Sequence, residues 1–212
     1  MDAVVFDMDG VLVDSAAHHR AAWRALLDEL GARPAIPEFW RLTIGRPSWE
    51  AVPLVLGRPV PEGEARRIAS RKQALYLRLA GSGLPAVPGA VAFVAGLARS
   101  GVPRAVATSA SRPDMLRMLG ALDLLRHFDV VVTAEDVRLG KPDPEVYLRA
   151  ARGLGVPAGR CLAFEDSVAG VMAALAAGMR VIGVGTTHDE VELLAAGAER
   201  VIPDFERCTW PA

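Results

Sequence analysis

The sequence predicts an α/β protein in which a Rossmann-like parallel sheet carries an inserted module of helices. Three observations predict it. Short apolar runs of strand length recur along the chain, helical patterns separate them from the second run onward, and nearly a hundred residues lie between the first run and the second. Near-continuous apolar strands alternating with helices read as a parallel sheet covered on both faces. A single crossover helix needs far fewer residues than that first gap holds, so the gap reads as a module of its own.

The elements follow in order. AVVF (3–6) is the first strand. SAAHHRAAWRALLDELG then has Ser15 placed as an N-cap, Trp23, Leu26, Leu27 and Leu30 at helical spacing, and Gly31 as terminator. PEGEARRIASRKQALYLRLAG sets Ile68, Leu75, Tyr76 and Leu79 on one stripe, and the Gly/Pro-rich GSGLPAVPGA leads back to the sheet. RAVAT (104–108), DVVVT (129–133), RCLAF (160–164), RVIGVG (180–185) and RVI (200–202) supply the other strands. The expected division is a main domain of residues 1–14 and 82–212 and a helical module of residues 15–81.

Composition narrows the function classes. With 212 residues, 51% hydrophobic, 23% charged and a net charge of −1, the chain has an ordinary globular balance and no basic field for nucleic acid. No apolar run approaches the roughly 18 residues of a membrane span, and no basic leader precedes the first strand. The expectation is a cytoplasmic protein, monomeric at this size. Cys161 and Cys208 have neither metal-ligand nor disulfide-framework spacing and are expected to stay unpaired. Only Lys72 and Lys141 are lysines among 24 basic residues, so each merits separate attention.

The chemistry sits at strand ends. In VVFDMDGVLVD the first strand runs into Asp7 and Asp9, which in an extended segment project to the same side. Two such carboxylates repel unless a cation or shared proton separates them. A solvated Asp-Gly turn would account for DMDG alone, but RCLAFEDSVAG repeats the arrangement with Glu165 and Asp166. Acidic groups at two strand ends can meet at the edge where open α/β sheets bind ligands. With no His/Cys cluster, Mg²⁺ suits them better than zinc. AVATSASR presents the hydroxyls and N–H groups of Thr108 and Ser109 at that edge, suited to phosphate oxygens, with turn or cap formation as the alternative, and in LGKPDPEVY Pro142 and Pro144 hold Lys141 for a role as a point charge against phosphate and carboxylates, with a plain surface lysine as the alternative.

Taken together, DMDGVLVDS, the hydroxyl-bearing ATS, GKPDPEVY and FEDSVAG resemble, in that order, the four motifs of the haloacid dehalogenase superfamily. The helical insert resembles the small helical cap of its phosphatases and of its β-phosphoglucomutase-like branch. The resemblance implies that Asp7 is the nucleophile and forms an aspartyl-phosphate, and that Asp9 is the acid and then the base. It implies that Asp7, the Asp9 carbonyl and Asp166 hold Mg²⁺ with Glu165 in support, and that Thr108 and Lys141 bind the transferring group. An acid at position 9 sets aside the dehalogenase and phosphonate-cleaving branches.

Within the insert, Lys72 and His19 fall on apolar stripes. Snorkelling is the alternative for the lysine and a core position for the histidine, yet both match the cap and hinge residues of the mutase branch, HxxxW and RKxxxY. In TIGRPSWE, Gly45 and Arg46 are candidate substrate contacts, but Ser48 and Trp49 stand where such mutases carry a phosphate-binding arginine. That departure favours hydrolysis of a small phosphate ester, a sugar or polyol phosphate, over the mutase reaction. A non-catalytic binding module on the same fold is the third reading.

Overall fold

A computed structural model describes residues 1–81 and 83–210. Strands β1 (Ala3–Phe6), β2 (Arg104–Ala107), β3 (Val130–Val132), β4 (Cys161–Glu165), β5 (Arg180–Val184) and β6 (Arg200–Ile202) form one parallel sheet in the order β3-β2-β1-β4-β5-β6. After β1 the chain adds β2 and β3 on one side, then crosses to add β4 on the other. The carboxyl ends of β1 and β4 therefore flank the point where the winding reverses, where such sheets open a crevice.

Alternation along the strands divides the core in two. Val4, Phe6, Leu162 and Phe164 face one layer, and Ala3, Val5, Cys161 and Ala163 face the other. On the first face Phe6 stacks on Phe164 with ring centroids 5.2 Å apart, and Phe93 meets Phe164 edge-on. That aromatic packing holds β1 and β4 in register, with Phe6 opposite Phe164. The other face uses small residues, which lets α6 (Glu145–Leu154) and α7 (Val168–Ala176) lie close on the sheet.

Helices α1 (Ala16–Glu29), α2 (Ser48–Leu56) and α3 (Glu62–Ala80) fill the gap between β1 and β2, followed by α4 (Ala90–Arg99). Trp23, Leu26 and Leu27 are buried as expected, but Leu30 is exposed because α1 ends at Glu29. Leu75 and Tyr76 are buried as expected, but Leu79 is exposed and Ile68 only half-buried: the buried residues of α3 are Ala65, Ala69, Lys72, Leu75, Tyr76 and Ala80, and the small ones bring the helix close to α1. Ser15 precedes α1 without capping it through its side chain, since its backbone is already helical and its hydroxyl is turned inward.

Remaining helices start and stop on local signals. Ser111 and Ser167 accept from backbone N–H groups at the starts of α5 (Arg112–Ala121) and α7, and Asp189 forms a capping box with Glu192 in α8 (Glu190–Ala195). The expected boundary at 81/82 abuts residue 82, which lies outside the described residues. The two connections to the helical insert run side by side: Asp14 N–H donates to the Pro85 carbonyl (2.9 Å) and Val87 N–H to that of Leu12 (3.1 Å). Cys161 and Cys208 are both free thiols. No helix among the described residues is long and apolar enough to cross a membrane.

Candidate active site

Parallel pairing of β1 with β4 sets Asp7 beside Glu165, and the Asp7 N–H donates to the Phe164 carbonyl (3.0 Å). Asp7, Glu165 and Asp166 are all buried and can each offer an oxygen within 4.8 Å of the others. Lys141 reaches this cluster from the loop before α6, donating to Asp7 Oδ1 (2.8 Å) and Glu165 Oε1 (2.5 Å). Its peptide bond to Pro142 is cis.

Glu165 is saturated by the protein. Besides Lys141 it accepts from the Tyr147 hydroxyl (2.8 Å), and its other oxygen accepts from the Ser167 N–H (3.1 Å) and hydroxyl (2.9 Å). Its place beside the other two carboxylates is therefore that of a clamp on Lys141. Asp166 turns the other way, against Gly10 and the Thr187 hydroxyl. Gly10 has φ +76°, and a Cβ there would lie 2.0 Å from Asp166 Oδ2, so only glycine serves at this turn.

Electrostatics follow from three buried carboxylates facing one ammonium. Burial, opposed by Lys141 and reinforced by Glu165, pushes the Asp7 carboxyl up to about 7. Burial and the neighbouring charges of Glu165 and Asp7 raise Asp166 well above the usual carboxylate range. Burial would lower Lys141, but Asp7 and Glu165 hold its ammonium above the ordinary lysine value. The cluster is short of positive charge, and its donors are all oxygen, which is the chemistry a hard divalent cation completes.

Asp9 stands outside this cluster. Its Oδ1 meets His19 Nε2 at 3.2 Å, while His19 Nδ1 meets Lys72 Nζ at 2.7 Å. An ammonium has no lone pair, so Nδ1 accepts and Nε2 carries the proton toward Asp9. Tyr76 stacks on the His19 ring at 4.1 Å and fixes its plane. Lys72 is buried against Trp23 and Tyr76 and does not snorkel. Burial opposes ionisation of Asp9, but His19, Ser15 and Lys72 together hold its carboxyl below the ordinary value.

The remaining candidates lie where the insert meets the sheet. Thr108 is buried at the end of β2, its Oγ1 accepting from the Ala110 N–H (3.0 Å), which leaves its hydroxyl proton free for a phosphate oxygen. The Ser109 hydroxyl is instead committed to the Gly45 carbonyl (3.0 Å), and Gly45, at φ +72°, sits so close to Ser167 that a Cβ would lie 2.5 Å from its Oγ. Both residues thus tie the insert to the sheet. Arg46 lines the cavity beside them and faces Glu50.

Over the carboxylates the insert roofs a cavity of about 680 Å³, with Asp7, Asp9, Lys141 and Asp166 on its floor and His19, Arg46 and Lys72 on its walls. Further ties join the insert to the rest of the chain: Gln73 Nε2 donates to Asp114 Oδ2 (2.8 Å), Arg41 pairs with Glu192 (2.5 Å), and Pro47 packs on Gly140. Sequence reasoning gave no role to Tyr147, Thr187, Gln73 or Asp114. Gln73 is the one glutamine in the chain, which could have drawn attention to it.

The family model described as a haloacid dehalogenase-like hydrolase matches residues 1–178. The phosphorylated carbohydrates phosphatase of Thermotoga maritima is 35% identical over 97% of this chain and 96% of its own length. Hexitol phosphatase A of Escherichia coli (strain K12) is 33% identical over 93% and 91%. Among solved structures, β-phosphoglucomutase from Clostridium difficile superposes with a TM-score of 0.86 at 27% identity, covering 100% of this chain and 94% of that one.

Proposed function

This chain belongs to the haloacid dehalogenase-like hydrolases and is a phosphoester hydrolase, and from that premise we propose that it is a Mg²⁺-dependent phosphatase of sugar or polyol phosphates acting through phosphorylated Asp7. The observation that carries the proposal is the seat of Asp7: at a strand end on the cavity floor, braced by Lys141 and next to two further buried carboxylates. Relatives named as phosphatases of phosphorylated carbohydrates and of hexitols support the substrate class. Residues 15–81 act in this reading as a cap over a core of residues 1–14 and 82–212.

Asp7, the Asp9 carbonyl and Asp166 would hold Mg²⁺, which when bound neutralises charge on the phosphoryl group. Asp7 attacks phosphorus as the bond to the alcohol oxygen breaks, and Asp9 gives that oxygen its proton. Water then gives Asp9 a proton and attacks phosphorus, releasing inorganic phosphate and restoring both aspartates. Lys141 and Thr108 bind the phosphoryl oxygens, and Glu165 keeps Lys141 aimed. The pair His19–Lys72 keeps resting Asp9 ionised; the negative charge of an arriving phosphate favours the acid form that the first step uses.

Phosphate release from a panel of phosphomonoesters, with and without Mg²⁺, tests this. Equal release by wild type and Asp7→Asn would overturn it. Likeness to β-phosphoglucomutase supports a second reading, a sugar-phosphate mutase, opposed by Ser48 and Trp49 in place of an anion-binding arginine. A mutase would interconvert hexose 1- and 6-phosphates under a bisphosphate activator with little net phosphate release.

A further inference from the structure

Three consecutive residues after β5 bond to the turns that follow two other strands. The Thr186 hydroxyl donates to the Gly10 carbonyl (2.5 Å), the Thr187 hydroxyl to Asp166 Oδ2, and the N–H of buried His188 to the Asp166 carbonyl (3.3 Å). In the sheet β5 neighbours β4 but not β1, so the segment reaches past one strand to join the turn behind Asp9 to the turn at Asp166. At its own root the Gly185 N–H donates to the Ile202 carbonyl of β6 (2.8 Å), which fastens the segment to the sheet.

Asp166 Oδ2 sits between two fixed walls. A Cβ on Gly10 would stand 2.0 Å from that oxygen and 2.9 Å from Thr187 Oγ1, so the turn closes one side of it and the hydroxyl meets it as well. An ionised carboxylate only accepts, so Thr187 is the donor. Held at Oδ2, the group keeps one orientation about its last torsion and leaves Oδ1 for a cation. The three acidic neighbours are oriented differently. Asp7 and Glu165 both take their direction from the Lys141 ammonium. The side-chain bond of Asp166 comes from a neutral hydroxyl, which aims the carboxylate without setting a positive charge against the ion it is to attract.

We propose that Thr187 is a positioning residue for the metal, fixing Asp166 so that Oδ1 is presented to Mg²⁺, while Thr186 and His188 hold the segment that carries it against both turns. The inference rests on the Mg²⁺ reading and adds to it a residue from the connection after β5. Outer partners of this kind act on metal affinity, because an unguided ligand must be ordered when the ion binds.

The test titrates Mg²⁺ alone, by calorimetry and without substrate, into wild type, Thr187→Val, Thr187→Ser and Asp166→Asn, each checked for folding by thermal melting. Asp166→Asn removes the ligand itself and marks the binding that belongs to this site. The expected result is a Kd for Mg²⁺ raised about ten- to a hundredfold in Thr187→Val, with Thr187→Ser, which keeps the hydroxyl, close to wild type. Phosphate release should follow: Thr187→Val needs more Mg²⁺ for half its maximal rate, while kcat at saturating Mg²⁺ changes little. Thr187→Ala replaces the valine variant if that one does not fold. An unmoved Kd in the variant without the hydroxyl overturns the assignment. So does an equal loss in Thr187→Ser, because the methyl group rather than the hydroxyl would then be what matters. Absence of Mg²⁺ binding by wild type, or binding that Asp166→Asn leaves intact, would overturn the metal reading itself, an outcome distinct from binding at this site with an unmoved Kd.

Discussion

Burial draws the Lys72 ammonium down to about 8, against the attraction of Asp9 and Asp114, whereas its ordinary value is 10.5. Between those values the unfolded chain binds more protons than the folded one, so the residue adds to stability as pH rises through that window and detracts below it. Comparing wild type with Lys72→Met cancels other titrations. Denaturant melts should show wild type gaining about 3 kcal/mol on the variant between pH 8 and 10.5; a flat difference would mean that the ammonium stays in water. Lys141 behaves oppositely, being the cation that two buried carboxylates need. Lys141→Met should cost about 3–5 kcal/mol in the same melts, with activity lost. Asp7→Asn should fold yet release phosphate at least about a thousandfold more slowly.

At the scale of elements, α7 begins where Glu165 ends β4, and the fit has no slack: a Cβ on Gly170 would lie 1.7 Å from Glu165 Oε1. Gly170→Ala should therefore push that carboxylate off Lys141 and Tyr147, lowering stability by about 2–4 kcal/mol and activity with it, as read by melting and by phosphate release. The strands were legible because near-continuous apolar runs have few alternatives, and acids at two strand ends already pointed to their meeting. Within α3 Leu75 and Tyr76 are buried as the pattern predicts, but Ile68 and Leu79 misled. Leu79 is exposed while Lys72 and small Ala65 and Ala69 are buried, since close packing on α1 rewards narrow side chains that a hydrophobicity pattern ranks low. Tyr147 could be placed on a helix, but its bond to Glu165 depends on how α6 meets β4, which no local period encodes.

For the whole molecule, the angle between cap and core decides which residues meet, and that angle was the least legible quantity in the sequence. Ser109, which its strand-end position marks as a phosphate donor, has its hydroxyl tied to Gly45, and Gln73, which no motif singles out, is bonded to Asp114. Gln73→Ala removes one tie while leaving the carboxylates alone, and the expected outcome is a several-fold rise in KM with a smaller change in kcat, measured by steady-state phosphate release. The paired connections at Asp14–Pro85 and Leu12–Val87 emerge directly behind the loop that carries Asp9. Any swing of the roof pivots there. Solvent must be pushed aside for that swing, so an enzyme limited by egress of phosphate would slow in proportion to the thickness of its medium. Sucrose, added as viscogen, should depress kcat of wild type, and the depression should shrink in Gln73→Ala, whose roof lifts more readily.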